Sequence, residues 1–142
     1  MANRYRTITE ENRLKIIHEL KRFFEDRMEI IFAYIHGSFA EGLPFTDIDV
    51  AVYVDEGTVS KDNAIDYGLS ISIEAELKTP ITPLDVKVLN YAPVGFKFYA
   101  TKGLLLFSKD EEVRCGFLER TWKKYFDLLP KRRQILLDLV SV

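Results

Sequence analysis

The feature that most constrains the fold is a pair of apolar runs joined by a short loop. Residues 28–35, M-E-I-I-F-A-Y-I, are too apolar and aromatic for a surface element and predict a buried strand. The Gly37–Ser38 pair ends this strand, and the run D-I-D-V-A-V-Y-V at residues 47–54 predicts a second one. Because residues i and i+2 of a strand point to the same face, Asp47 and Asp49 are expected to stand side by side.

The remainder of the chain alternates helical patterns with short apolar runs. The order α-β-turn-β-α-β-α-β-α predicts an α/β (α+β) fold in which a small mixed sheet is flanked by helices, as one domain over residues 1–142. The second helix carries apolar residues every four positions, at Ile65, Leu69, Ile73 and Leu77. The other predicted elements are a helix from Thr9 to about Arg27, a helix from Lys61 to about Leu77, a strand at 84–89, a helix from Pro93 to Gly103, a strand at 104–107, a helix that ends near Leu128–Leu129 before Pro130, and a further helical stretch at 131–140.

Composition narrows the class of protein. A chain of 142 residues with 47% apolar and 30% charged residues is typical of a globular domain that is soluble and has its own core. The net charge of −2 gives no sign of a surface that binds nucleic acid, and the apolar stretches are too short to span a membrane. The single cysteine, Cys115, excludes an intrachain disulfide. We therefore expect a cytoplasmic protein that binds neither membrane nor nucleic acid directly.

A third acid strengthens the case for a metal site. Asp85 interrupts the apolar strand L-D-V-K-V-L, where an unpaired carboxylate is costly. If this strand lies beside the strand of Asp47 and Asp49, three carboxylates converge and repel one another unless cations neutralise them. Carboxylate oxygens are the ligands that Mg²⁺ prefers. Two Mg²⁺ ions on these acids could clamp nucleotide phosphates, while Asp85 completes the second metal site or accepts the proton of an incoming hydroxyl.

Other interpretations of these residues stay open. Acids at strand ends are commonly solvated, so Asp47 and Asp49 alone are a weak signal. His36 either packs in the core or approaches bound phosphates, and Lys87 either pairs with Asp85 or contacts a phosphate. The aromatic residues of the last helix, Trp122, Tyr125 and Phe126, either pack on the sheet or face a partner.

These motifs together resemble a known family. The pattern G-S-F-A-E-G, then T-D-I-D-V-A-V, then a lone strand aspartate resembles the nucleotidyltransferase (polymerase beta-like) superfamily. More closely, it resembles the minimal nucleotidyltransferase (MNT) antitoxins of HEPN–MNT toxin–antitoxin pairs. The resemblance covers almost the whole chain, including P-L-D-V-K-V-L-N, the strand G-L-L-L-F-S and the closing helix.

The resemblance implies a role for each motif residue. Gly37 and Ser38 would bind phosphate, Asp47 and Asp49 would be metal ligands, and Asp85 would be the third acid of the site. The implied reaction is the Mg²⁺-dependent transfer of AMP from ATP, with release of pyrophosphate. The acceptor would be a tyrosine of a HEPN-type RNase toxin, which the chain would silence as an antitoxin. A homodimer is compatible with this assignment.

The loop of the site departs from the commoner family form. Eight residues separate Ser38 from Asp47, a couple fewer than is usual in the family. This leaves two alternatives open: a partner-binding antitoxin whose transferase site is weak or inactive, and a small-molecule adenylyltransferase. The latter is less favoured, because the chain leaves little room for a separate substrate domain.

Overall fold

The computed structural model describes residues 5–81 and 83–140, and the predicted order of elements is confirmed. A short 3-10 turn, Lys61–Asn63, precedes the second helix. Helices and strands are α1 (Glu10–Glu25), β1 (Ile30–His36), β2 (Ile48–Val54), α2 (Ala64–Lys78), β3 (Leu84–Val88), α3 (Val94–Thr101), β4 (Leu104–Ser108) and α4 (Glu111–Val140).

The four strands form one mixed sheet in the order β3-β2-β1-β4. β1 is antiparallel to both β2 and β4, whereas β2 and β3 run parallel. The long connection through α2 makes the parallel pairing possible, because a tight turn can join only antiparallel strands. The predicted α+β fold with a small mixed sheet flanked by helices is confirmed.

The two faces of β2 pack in different hydrophobic clusters. Its Ile and Val residues pack in a cluster that includes Leu20 and Phe24 of α1 and Ile71 of α2. The opposite face carries Ala51, which packs with residues of α3 and α4 in a second cluster. Asp49 alternates with the buried valines and therefore lies on this second face.

The strand boundaries differ slightly from the prediction. β1 begins at Ile30 rather than at position 28, since a turn closed by the bond from the Ile30 N–H to the Arg27 carbonyl (3.2 Å) precedes it. Met28 is accordingly 94% exposed. β2 begins at Ile48, one residue after Asp47.

The apolar repeat of α2 faces solvent rather than the sheet. Its four residues are 59–82% exposed, whereas the buried face consists of Ile71 and four smaller residues. A Cβ on Gly68 would lie 2.6 Å from the Val86 carbonyl oxygen, so α2 approaches β3 too closely for a larger side chain there. The Ser72 hydroxyl accepts a hydrogen bond from the Val86 N–H (3.0 Å) in the same contact. The exposed residues are Ile65, Leu69, Ile73 and Leu77.

α4 continues through Pro130, so the prediction that this helix ends before the proline is wrong. Proline removes one backbone donor, which costs the bond to the Phe126 carbonyl. Good helix formers on both sides of Pro130 preserve the helix. Residues 131–140 are all exposed, which leaves room for any local bend.

The three aromatic residues on α4 pack on Phe98 of α3 rather than on the sheet. The Trp122 Nε1–H donates to the Thr101 hydroxyl (3.1 Å), and Tyr125 stacks on Phe98 with ring centroids 3.8 Å apart. Phe126 is 52% exposed. Within the described ranges, no helix combines the length and the apolar character needed to cross a membrane.

Candidate metal and nucleotide site

The register of two parallel strands brings the three predicted acids together. Asp49 of β2 pairs with Asp85 of β3, and Asp47 lies immediately before β2. One carboxylate oxygen from each residue can be chosen such that all three lie within 4.8 Å of one another. The predicted convergence of the three carboxylates is therefore confirmed.

Asp85 reaches this cluster from a half-buried position rather than a fully buried one. Its side chain is 43% exposed, because β3 is an edge strand of the sheet. Lys87 Nζ lies 3.7 Å from Asp85 Oδ2, which confirms the ion-pair interpretation of this lysine. The prediction that Asp85 is a buried acid without a partner is therefore wrong. The pairing of β2 with β3 explains why the three acids lie together.

Burial and the charges of two neighbouring carboxylates act on Asp49. Burial raises the pKa of its carboxyl to about 6, and the negative charges of Asp47 and Asp85 add to the shift. Lys87 opposes the shift. A protonated acid cannot serve fully as a metal ligand, so a bound cation and a proton compete for Asp49.

The Gly37–Ser38 turn lies directly against this cluster. Gly37 has a φ of +80°, and a Cβ added to it would meet Asp49 Oδ2 at 2.6 Å. The chain after it forms a turn, closed by bonds from the Glu41 N–H to the Gly37 carbonyl (3.2 Å) and from the Leu43 N–H to the Ser38 carbonyl (3.0 Å). It does not open a regular helix.

The first amides of the turn are available to a ligand. Within residues 5–81 and 83–140, the backbone N–H groups of Ser38, Phe39 and Ala40 donate no hydrogen bond, and Ser38 is exposed. Successive amide donors in such a turn form a concave site for anions. The turn therefore offers phosphate oxygens a binding position next to the acids.

Arg13 of α1 holds the turn in place, a role that the sequence alone did not indicate. Its Nε donates to the Phe39 carbonyl (3.2 Å) and its Nη2 to the Ala40 carbonyl (2.6 Å). The side chain is 15% exposed, and its guanidinium lies 5.6 Å from the centroid of the Phe39 ring. An arginine on a helix rich in charged residues carries no sequence signal for this role.

His36 packs in the core, which supports the packing interpretation over a phosphate contact. It is 7% exposed, and its ring meets that of Phe96 edge-on with centroids 5.4 Å apart. Burial, followed by the charge of Lys87, lowers the pKa of the imidazole to about 4. The ring is thus neutral at pH 7, and within the described chain its buried Nδ1 has no hydrogen-bond partner.

The donor set fits a hard divalent cation. All three ligand groups are carboxylates, and their oxygens lie close enough to share one ion or a pair of ions. Asp47, Asp49 and Asp85 would hold Mg²⁺, and the open turn beside them leaves room for phosphate oxygens as further ligands.

A mixed sheet that presents three acids beside an open glycine turn is the arrangement expected of a nucleotidyltransferase. The chain belongs to the polymerase beta nucleotidyltransferase family, whose model matches residues 18–112. The superfamily predicted from the motifs is thereby confirmed. No curated protein sequence matches the chain significantly.

Several solved structures share the fold over nearly their whole length. A chain of a toxin–antitoxin structure with AMP-PNP is 20% identical, with a TM-score of 0.63 over 91% of this chain and 98% of that chain. A chain from a complex of tri-AMPylated Shewanella oneidensis HEPN toxin with MNT antitoxin is 19% identical, with a TM-score of 0.60 over 94% and 99% of the two chains. A chain of the MntA–HepT toxin–antitoxin is 18% identical, with a TM-score of 0.60 over 93% and 99%.

Proposed function

We propose that this chain is a Mg²⁺-dependent adenylyltransferase that moves AMP from ATP onto a tyrosine of a HEPN-type RNase toxin and so acts as an antitoxin. The observation that carries the proposal is the convergence of three carboxylate oxygens within 4.8 Å beside an open amide turn. Family membership supports nucleotidyl transfer as the type of reaction. The structures that share the fold support the partner, since one holds a tri-AMPylated HEPN toxin and another AMP-PNP.

The turn would bind the triphosphate. The free N–H groups of residues 38–40 and the Ser38 hydroxyl would donate to phosphate oxygens. Arg13 would contribute indirectly, because its bonds to the Phe39 and Ala40 carbonyls hold these two peptide groups of the turn in place. The same donors would stabilise the negative charge on the leaving pyrophosphate.

The acids would hold the metal and prepare the acceptor. Mg²⁺ bound at Asp47, Asp49 and Asp85 would supply a Lewis acid that neutralises charge on the reacting phosphate. The Asp85 side chain is 43% exposed on the edge strand β3, so its carboxylate would be accessible to accept the proton of an incoming tyrosine hydroxyl. Lys87, at 3.7 Å, would orient the Asp85 carboxylate for this transfer.

The end of α4 favours a second candidate function, neutralisation of a partner by binding alone. Residues 131–140 project from the core, and their apolar side chains are 53–83% exposed. Large exposed apolar patches commonly mark protein interfaces. A partner-binding antitoxin would need this surface but not the acids. The apolar residues are Ile135, Leu136, Leu137, Leu139 and Val140.

Intact mass measurement separates the two candidates. The chain is incubated with ATP, Mg²⁺ and a candidate HEPN-type partner protein, and the masses of both proteins are recorded. Adenylyl transfer predicts that the partner gains one or more AMP adducts. The double variant Asp47→Asn/Asp49→Asn should give no adduct, because it removes two of the three anionic ligands.

A charge-matched control excludes a general effect of the lost charges. Asp62→Asn/Asp66→Asn removes two exposed carboxylates outside the site and should leave the yield of adduct unchanged. An unmodified partner, together with full neutralisation by the Asp47→Asn/Asp49→Asn variant, would refute the transferase and establish the binding function.

A further inference from the structure

A second concave site lies on the same face of the sheet as the acids, at the far end of β2. The cleft has a volume of about 390 Å³, within the range of small-molecule sites. α3 begins at its wall, since Pro93 and Val94 line the cleft. The other lining residues used below are Tyr53, Glu56, Lys97, Phe117, Arg120 and Lys124.

Three cations converge in this cleft. Lys97, Arg120 and Lys124 all line it. Burial lowers the pKa of the Lys97 ammonium, and the positive charges of Lys124 and Arg120 lower it further. Arg120 also acts on Tyr53. Burial raises the pKa of the Tyr53 hydroxyl, and the positive charge of Arg120 lowers it. In the part of the chain that the structure describes, none of the three cations has an ion-pair partner within 4 Å.

The charge balance identifies the type of ligand. Glu56 is the only acid that lines the cleft among the described residues, so three positive charges and one negative charge meet there. The surplus of two positive charges matches a phosphate monoester, which carries nearly two negative charges at pH 7. A carboxylate would leave one cation unbalanced. The planar guanidinium of Arg120 suits phosphate oxygens, and the first turn of α3 adds the positive end of its dipole.

We propose that this cleft is a binding site for a nucleoside monophosphate, whose phosphate group contacts Lys97, Arg120 and Lys124. The cleft is larger than a phosphate group needs, which leaves space for the nucleoside. Tyr53 follows Asp49 by four residues on β2, so the cleft lies about 13 Å along the strand from the acids. It is therefore separate from the triphosphate position at the Gly37–Ser38 turn, and the inference does not depend on the proposed transfer reaction.

Calorimetry with AMP in the absence of Mg²⁺ tests the site. We expect AMP to bind with a stoichiometry of one, inorganic phosphate to bind more weakly, and adenosine not to bind. Arg120→Gln and Lys124→Gln should each weaken AMP binding at least about tenfold, because each removes a charged hydrogen bond. Lys97→Met removes the ammonium, which lies 5.6 Å from the centroid of the Phe117 ring, and should have the same effect.

Matched variants make the result specific to the cleft. Lys123→Gln removes the same charge from the neighbouring position of α4, which does not line the cleft, and should leave AMP affinity within about twofold. Asp47→Asn/Asp49→Asn should also leave it unchanged. Melting curves confirm that each variant is folded.

Four results would overturn the proposal. They are no AMP binding, an equal loss in Lys123→Gln, loss of AMP binding in Asp47→Asn/Asp49→Asn, and adenosine binding as tight as that of AMP. Equal affinities for AMP and inorganic phosphate would assign the cleft to phosphate alone and refute the nucleoside part. None of these outcomes would refute adenylyl transfer at the acids, which the mass measurement tests separately.

Discussion

Replacement of Gly37 by alanine should damage the acid cluster through a single contact. The backbone φ of +80° costs a residue with a Cβ about 1–2 kcal/mol. The new Cβ would in addition lie 2.6 Å from Asp49 Oδ2, so the carboxylate must move away from its position beside Asp47 and Asp85. We expect the melting temperature to fall by about 3–8 °C and Mg²⁺ affinity to fall at least about tenfold. Differential scanning calorimetry and titration calorimetry measure the two effects.

Gly42→Ala provides the matched control for this prediction. Gly42 belongs to the same loop and has a φ of +75°, but a Cβ added to it would have no other atom within 4 Å. Both variants should therefore carry the cost of the positive φ, whereas only Gly37→Ala should also carry the clash and lose Mg²⁺ affinity. Equal Mg²⁺ affinity in both variants would refute the conclusion that the turn and the acids are in direct contact.

Three other substitutions or conditions probe the turn, the acids and the core. Arg13→Gln removes the bond to the Ala40 carbonyl, so the KM for ATP should rise at least about tenfold with a smaller change in kcat. An unchanged KM would contradict the role of Arg13 in holding the turn. Because the pKa of Asp49 is raised to about 6, lowering the pH from about 7.5 to about 5.5 should weaken Mg²⁺ binding, which calorimetry measures. In the metal-free protein the charged form of Asp49 is the disfavoured one. The contribution of Asp49 to the free energy of unfolding should therefore rise as the pH falls through 6. Ile71→Ala should cost about 2–4 kcal/mol in urea unfolding and Leu69→Ala less than about 0.5 kcal/mol, because only Ile71 is buried; equal losses would place the core on the other face of α2.

Sequence periodicity predicted the elements more reliably than it predicted their orientation. The four-residue repeat on α2 correctly indicated a helix, yet the apolar residues of the repeat face solvent. Gly68 and Ala75 allow α2 to lie close to β3, and small residues give a weaker pattern than leucine and isoleucine. Pro130 likewise predicted the end of a helix that continues, because tolerance of a proline depends on neighbouring residues and exposure.

The site was predictable where its residues are close in sequence and less so where they are not. The alternation of Asp47 and Asp49 follows from strand geometry alone. Their distance from Asp85 depends on a parallel pairing that no local pattern specifies. Arg13 lies 26 residues before the carbonyl of Phe39 that it contacts, so only the tertiary fold reveals its role.

A crystal structure with Mg²⁺ and AMP-PNP would test the central claim most directly. We predict metal density bound to Asp47, Asp49 and Asp85, and phosphate oxygens that accept bonds from the N–H groups of residues 38–40. The claim would be contradicted by a nucleotide bound elsewhere on the molecule, with the three carboxylates free of metal at saturating Mg²⁺.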